Sequence, residues 1–267
     1  MKEMRLQLLI SAVNQEPEKL ISAMHVQSDA ILVNQCDHFS YEEIRQADHL
    51  IRVYHLAERG VGLSRNHALQ RADGDICLFA DEDIVYQDDY VRKILEEFGR
   101  HPEADMLLFN VDVCRARRTY HTGRYGRVRL YNCGRYPAYS FALRREVMHA
   151  KNVCYSLLFG GGARYSNGED SLFIRDCIRS GMKVYKTPVT IGREKEREST
   201  WFSGYHEKFF FDRGVLYHHL YGRLAIAMSL QFLLRHGRVM CREISVRKAY
   251  GIMRRGIRAG SDSGRQA

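Results

Sequence analysis

Two clusters of carboxylates stand where a buried strand and a glycine-rich turn would present them. Asp81-Glu82-Asp83 follows the apolar run Ile76-Cys77-Leu78-Phe79-Ala80, and Glu169-Asp170 follows Gly160-Gly161-Gly162-Ala163-Arg164-Tyr165-Ser166-Asn167-Gly168. A buried strand ending in three acids sets carboxylates at the mouth of a sheet, where their mutual repulsion is costly without a cation. Hard divalent ions such as Mn²⁺ or Mg²⁺ take oxygen ligands and bridge to phosphates. Such an ion would neutralise a diphosphate leaving group. The plain alternative is a solvated acidic turn capping the next helix. The second cluster falls on the first turn of a helix starting near Glu169, where the dipole favours acids, so a capping role competes with chemistry there too. No Gly-Lys-Ser/Thr follows the glycines, which excludes a P-loop.

The elements that must position these acids are legible as alternating patterns. Leu6 to Val13, Ala30 to Asn34, Leu50 to Leu56, Asp75 to Ala80 and Asp105 to Val111 read as strands. Between them, Glu16 to His25, Leu63 to Ala72 and Asp88 to Gly99 have helical spacing. Val113 to Tyr139, rich in Arg, Tyr and Gly, reads as irregular strands and loops. A helix from Glu169 to Ser180 and a short strand, Lys183 to Lys186, complete the core. The alternation predicts an α/β fold, a mostly parallel central sheet flanked by helices. Ligands bind such sheets at the carboxyl ends of the strands, which is where Asp81 and Asp83 fall.

The block Gly60-Val61-Gly62-Leu63-Ser64-Arg65-Asn66-His67-Ala68, then Ala72-Asp73-Gly74, then the strand into Asp81-Glu82-Asp83, resembles the family 2 glycosyltransferase pattern. Gly168-Glu169-Asp170-Ser171-Leu172-Phe173 resembles that family's second signature, about ninety residues on and in the family's order. The resemblance implies a GT-A fold with a Rossmann-like nucleotide-binding half, and transfer of a sugar from a nucleotide-sugar, best guessed as a UDP-sugar, to a saccharide or lipid-linked saccharide acceptor. It places Arg65, Asp81 and Glu82 by the donor and Asp81 and Asp83 on the metal, Mn²⁺ or Mg²⁺. It makes Asp170 the general base, with Glu169 orienting the acceptor. An acceptor hydroxyl needs a carboxylate within hydrogen-bond reach to take its proton, and a single displacement of that kind inverts the anomeric carbon. Where members of the family carry Asp-Asp-Gly-Ser after the second strand, this chain has Asn34-Gln35-Cys36-Asp37. Contacts to the base are therefore expected from Asn34, Gln35 or Asp37, with Ser11 as a backbone-level contact. Trp201 and His206 lie in a downstream segment that could close over the donor, His206 near the metal or diphosphate; packing of a helix on the core is the competing reading.

The remaining features bound the answer more loosely. The chain of 267 residues, 45% hydrophobic and 27% charged, suits one globular unit with an appendage: a catalytic domain over 1–192 and a loop-and-helix basic extension over 193–267. Seven scattered cysteines with no C-x-x-C pair read as reduced, buried thiols of a cytoplasmic protein, and the N-terminus shows no signal-peptide pattern. Net charge is +9, and from Arg235 onward nine Lys/Arg face two acids. With the partly apolar Leu216 to Leu234, this tail suits a peripheral contact with an anionic inner membrane face; a helix packed on the core or on a second copy in a homodimer is the alternative. A nucleic-acid module using the tail is a second function class, disfavoured by the acids at the sheet mouth, so no nucleic-acid partner is expected. A sugar-phosphate nucleotidyltransferase would need a Gly-rich, basic loop after the first strand, and Ser11 to Pro17 is not one. A dinucleotide fold would need glycine where Arg65 stands.

Overall fold

The structure, a computed structural model, describes residues 4–114, 118, 120–195 and 204–263. The chain runs β1 (Leu6–Val13), α1 (Pro17–Met24), β2 (Asp29–Gln35), β3 (Ser40–Gln46), β4 (His49–Leu56), α2 (Val61–Arg71), β5 (Ile76–Asp81), β6 (Ile84–Tyr86) and α3 (Tyr90–Arg100). It continues through β7 (Met106–Asp112), β8 (Gly126–Arg127), β9 (Phe141–Arg144), α4 (Arg145–Lys151), α5 (Glu169–Arg179) and β10 (Val184–Glu194). Three helices close it: α6 (Glu207–Tyr221), α7 (Ala225–Met240) and α8 (Val246–Ser263).

The ten strands among the described residues join one sheet in the order β3-β4-β2-β1-β5-β9-β7-β10-β6, with β8 on β10. The expected parallel arrangement holds in the half β4-β2-β1-β5 and again between β7 and β10. Antiparallel β9 splices the two parts, and β3, β6 and β8 are antiparallel additions. Successive residues of β1 face opposite sides: Leu8 and Ile10 pack with α1 and α3 residues such as Ile21, Met24, Ile94 and Phe98. Leu9 joins Ala68 and Leu69 of α2 and Phe173 and Ile174 of α5. That two-residue alternation explains why the apolar runs are continuous, because both faces are covered.

Strand β10 runs past the expected Lys186 to Glu194. Pro188 has no N–H to give the ladder, and the register with β7 shifts around it, so the sequence pattern breaks while the strand continues. Strand β3, Ser-Tyr-Glu-Glu-Ile-Arg-Gln, is mostly exposed at the sheet edge and carries no apolar alternation to announce it.

Helices α6 to α8 form a third apolar cluster that includes Phe159, Tyr165 and Leu172 from the chain before β10. Helix α6 crosses α8 closely at Gly214 and Gly256, where a Cβ on either would collide with the other helix's backbone. Among the described residues no helix is long and apolar enough to cross a membrane. The cysteines are all free, but only Cys77, Cys133 and Cys177 are buried; Cys114 and Cys154 are exposed, against the expectation of uniformly buried thiols.

Candidate active site

The amino end of α2 abuts the carboxyl ends of β1, β2 and β5. The Gly60 N–H donates to Gln35 Oε1 (2.8 Å) and the Val61 N–H to the Gly161 carbonyl (2.9 Å), tying the helix start to β2 and to the glycine-rich turn. Ser64 Oγ donates to Ser11 Oγ at 3.0 Å. Asn66 brackets the backbone of Tyr155, accepting its N–H at 2.7 Å and donating to its carbonyl at 3.0 Å. This brings the 155–156 backbone so near that a Cβ at Gly62 would stand 2.6 Å from the Ser156 oxygen, so the position demands glycine.

Arg65, 3% exposed, joins the two acidic motifs. Its Nη2 donates to Asp81 Oδ1 at 2.9 Å, and its Nη1 to Asp170 Oδ1 at 2.7 Å and Glu169 Oε1 at 3.5 Å. The guanidinium lies over the Tyr155 ring at 5.2 Å, and that ring stacks on Phe173 at 4.0 Å. Burial alone would lower the Arg65 pKa, but Asp170 and Asp81 outweigh it and hold the group charged. Asp170 is pushed the other way. Burial raises its carboxyl to about 7, with Glu169 and Asp81 adding to the rise, while Arg65 and the Ala138 N–H (2.9 Å to Oδ2) oppose it. The carboxylate has about four lone-pair sites, so these two bonds leave room to accept a further hydroxyl.

Arg65, Asp81 and Glu169 border a cleft of about 570 Å³ lined also by Ser11, Val13, Gln35, Arg59, Gly60, Val61, Glu82, Asp83, Gly161, Gly162, Ser166 and Asn167; Asp170, held by Arg65, is not itself among the lining residues. The cleft has the size of a small-molecule site. Four carboxylates and two guanidinium groups line it, and all the acids offer hard oxygens. Asp83 and the second oxygen of Asp81 suit a divalent ion of the Mn²⁺ or Mg²⁺ kind. Glu82 is tied down differently, accepting the Val13 N–H at 2.9 Å and so fixing the end of β1.

The structure thus gathers Ser11, Arg65, Asp81, Glu82, Asp83, Glu169 and Asp170 in one place. Asn34 and Asp37 lie elsewhere. Asn34 is buried, and its amide is taken up by the Gln15 backbone (3.0 and 2.8 Å), which shapes the β1–α1 turn rather than facing the cleft. Asp37, its side chain 94% exposed, pairs with His38. Of the three residues expected to meet the base, Gln35 alone lines the cleft. His206 caps α6, its Nδ1 accepting the Phe209 N–H at 3.4 Å, and is not a cleft-lining residue; Trp201 lies outside the described residues. Sequence reasoning assigned no role to Arg59, which donates to the Gln35 carbonyl and reaches Asn14 Oδ1 at 3.5 Å. It also passed over Tyr155 and the buried Asp212, which holds Ser166 by its N–H and hydroxyl (3.0 and 2.6 Å) and ties α6 to the cleft wall. No spacing rule reaches these, since their hydrogen-bond partners lie 24 to 89 residues away.

Among solved structures, S. aureus TarS 1-349 in complex with UDP-GlcNAc superposes with a TM-score of 0.62 at 14% identity, covering 98% of this chain and 92% of that one. The mannosyltransferase PcManGT from Pyrobaculum calidifontis, in complex with GDP-Man and Mn²⁺, gives 0.53 at 12% identity, covering 99% and 77%. At these identities the likeness is one of fold. No curated protein matches the chain. The family model described as glycosyl transferase family 2 matches residues 20–159, a span holding β2, α2 with Arg65, and β5 with Asp81 to Asp83. With that match over half its length and the fold in accord, the chain belongs to glycosyl transferase family 2.

Proposed function

We propose that this glycosyltransferase moves a sugar from a nucleotide-sugar, best read as a UDP-sugar, to a saccharide hydroxyl by a single inverting displacement, in the building of a cell-surface polysaccharide. The observation that carries the reading is the shared guanidinium of Arg65, which lines the cleft and bonds both the strand-end acid Asp81 and the helix-start acid Asp170. The two similar structures, one with UDP-GlcNAc and one with GDP-Man and Mn²⁺, support a donor of that class.

Ser11 and Gln35 face the nucleoside, and Arg59 and Arg65 supply positive charge beside the diphosphate. Asp81 and Asp83 would hold Mn²⁺ or Mg²⁺, which supplies charge neutralisation as the diphosphate departs. Asp170 accepts the acceptor's proton at a carboxylate oxygen during attack; a base near neutrality is well matched to that task. Glu169, one residue before it, orients the acceptor. The catalytic unit is read as 1–192 and the extension as 193–267, with α6 bracing Ser166 through Asp212.

The extension also supports a peripheral location at the cytoplasmic face of a membrane carrying a lipid-linked acceptor. Helix α7 buries Ala225, Ser229, Leu233 and Gly237, yet the adjoining stripe of Ile226, Leu230 and Leu234 is exposed. Arg235, Arg238 and Arg242 stand in the same stretch of sequence, a combination suited to anionic lipid.

The donor reading is tested by thermal melting of the protein with UDP, GDP, CMP and short DNA, each with Mn²⁺ and with EDTA. Stabilisation by UDP that requires metal and is lost in Asp83→Ala is expected. A shift with DNA and indifference to every nucleotide would overturn it.

A further inference from the structure

Outside the cleft, the end of β2 and the β3–β4 hairpin bring together one thiol and two imidazoles. Cys36 Sγ lies 3.6 Å from His38 Nδ1 and 3.9 Å from His55 Nδ1, and the three donor atoms all fall within 4.8 Å of one another. A tetrahedral zinc ion with bonds of about 2.3 Å to sulfur and about 2.0–2.1 Å to nitrogen sets such atoms roughly 3.3–3.6 Å apart. The fold builds this spacing from its register. Cys36 directly follows β2, its N–H donating to the Leu56 carbonyl (3.0 Å), so it lies beside His55 of the parallel neighbour β4. His38 sits in the turn into β3, whose Ser40 pairs with His55.

The surroundings of His55 favour its use as a ligand. It is 9% exposed, and its Nε2 contacts Glu42 Oε1 at 3.0 Å, an arrangement in which the ring's other nitrogen carries the lone pair. The Asn34 amide donates to that same Nδ1 at 3.3 Å, which marks Nδ1 as the nitrogen with the lone pair; a bound ion would take that lone pair in place of the amide. The carboxylate–imidazole–metal order is common at metal sites. His38 is the adaptable partner. Its ring stacks on His55 (5.2 Å, 19°), so bringing both lone pairs onto one ion requires a rotation, and its side chain is 57% exposed in a turn. Binding through His38 Nδ1 would displace that nitrogen's contact with Asp37 (3.0 Å).

We propose that Cys36, His38 and His55 form a binding site for a borderline transition-metal ion of the Zn²⁺ class. A thiolate with two imidazoles selects such ions over Mg²⁺ and Mn²⁺, which prefer the oxygen donors of the cleft. The site is chemically separate from the donor site but adjoins it through the backbone, because Gln35, next to Cys36, lines the cleft and binds the start of α2. An ion there would staple the ends of β2 and β4 to the hairpin.

The test is titration of the chelator-treated full chain with Co²⁺, followed by absorption. One equivalent giving a thiolate-to-cobalt charge-transfer band with tetrahedral d–d absorption is expected. Cys36→Ser should abolish the charge-transfer band, His38→Ala should weaken binding at least about 10-fold, and Glu42→Gln should weaken it about 10–100-fold. Cys241→Ser should change nothing. Cobalt on the cleft carboxylates lacks the sulfur band and is removed by Asp83→Ala, so the two sites are read separately. A folded wild-type protein without the sulfur band, meaning a hydrogen-bonded cluster only, would overturn the proposal. So would a band that survives Cys36→Ser or an affinity unchanged in His38→Ala, whose exposed position leaves folding intact.

Discussion

Replacing Arg65 by Gln removes the single cation shared by Asp81, Glu169 and Asp170 while keeping much of the side chain's length. The guanidinium is 3% exposed and makes contacts of 2.7, 2.9 and 3.5 Å to the three carboxylates. Breaking a buried ion pair by removing one partner costs about 3–5 kcal/mol, because the remaining charges are left buried and uncompensated. For a chain of this size that is a fall in Tm of roughly 6–20 °C. The loss should depend on pH with a definite sign. Burial already raises the Asp170 carboxyl to about 7 against the opposing pull of Arg65; without the guanidinium it binds its proton more tightly still than in the unfolded chain, so stability falls as pH rises through its raised pKa. The deficit of Arg65→Gln against wild type, measured by urea unfolding, should therefore be larger at pH 8 than at pH 5. A deficit below about 1 kcal/mol at pH 8, the size of an exposed pair, would refute the account of Arg65 as the neutralising centre. So would a deficit that does not change with pH.

The site and its flank carry further expected outcomes. The Asp170 carboxyl is raised from 3.8 to about 7 chiefly by burial, so transfer activity should fall as pH drops below about 7. Stability from this group runs the other way, present below its unfolded value and lost as pH rises through about 7. Asp170→Asn should cost about 10²–10⁴-fold in kcat with little change in donor KM; an unchanged kcat would remove Asp170 from the base role. The exposed α7 stripe should give sedimentation with anionic vesicles that weakens in Leu230→Ser/Leu234→Ser and in salt; a concentration-dependent dimer that buries the stripe, without vesicle binding, would overturn the membrane reading.

The sequence exposes those parts of this molecule that are local. The strand before Asp81, the glycine-rich turn before Glu169 and the helix carrying Arg65 are contiguous patterns, and the structure has all three in place. What stayed hidden depends on residues far apart in the chain or on strands without apolar faces. Asn34 sits at the strand end expected to meet a nucleoside, but the β1–α1 turn takes its amide. Strand β9 is four residues long and antiparallel between β5 and β7, a placement no periodicity announces. The metal-type cluster at Cys36 escaped because His55 is 19 residues from Cys36 and meets it only through the parallel register of β2 and β4.

The density of recognisable residues at Gly60 to Asn66 has a mechanical cause beyond chemistry. Each position along this first stretch of α2 answers to a different element: Gly60 to β2, Val61 to the glycine-rich turn, Ser64 to β1, Arg65 to β5 and α5, and Asn66 to the Tyr155 segment. Gly62 is held small by the backbone of Ser156. An α-helix completes one turn every 3.6 residues, so a close succession of positions points side chains and end groups at neighbours on many sides. Arg65 bonds both acidic motifs, Asp81 at the end of β5 and Asp170 at the start of α5. The other residues fix where its guanidinium stands. The spacing of the run from Gly60 to Asn66 is therefore set by packing around one charge, which is why it is legible as a continuous stretch of sequence.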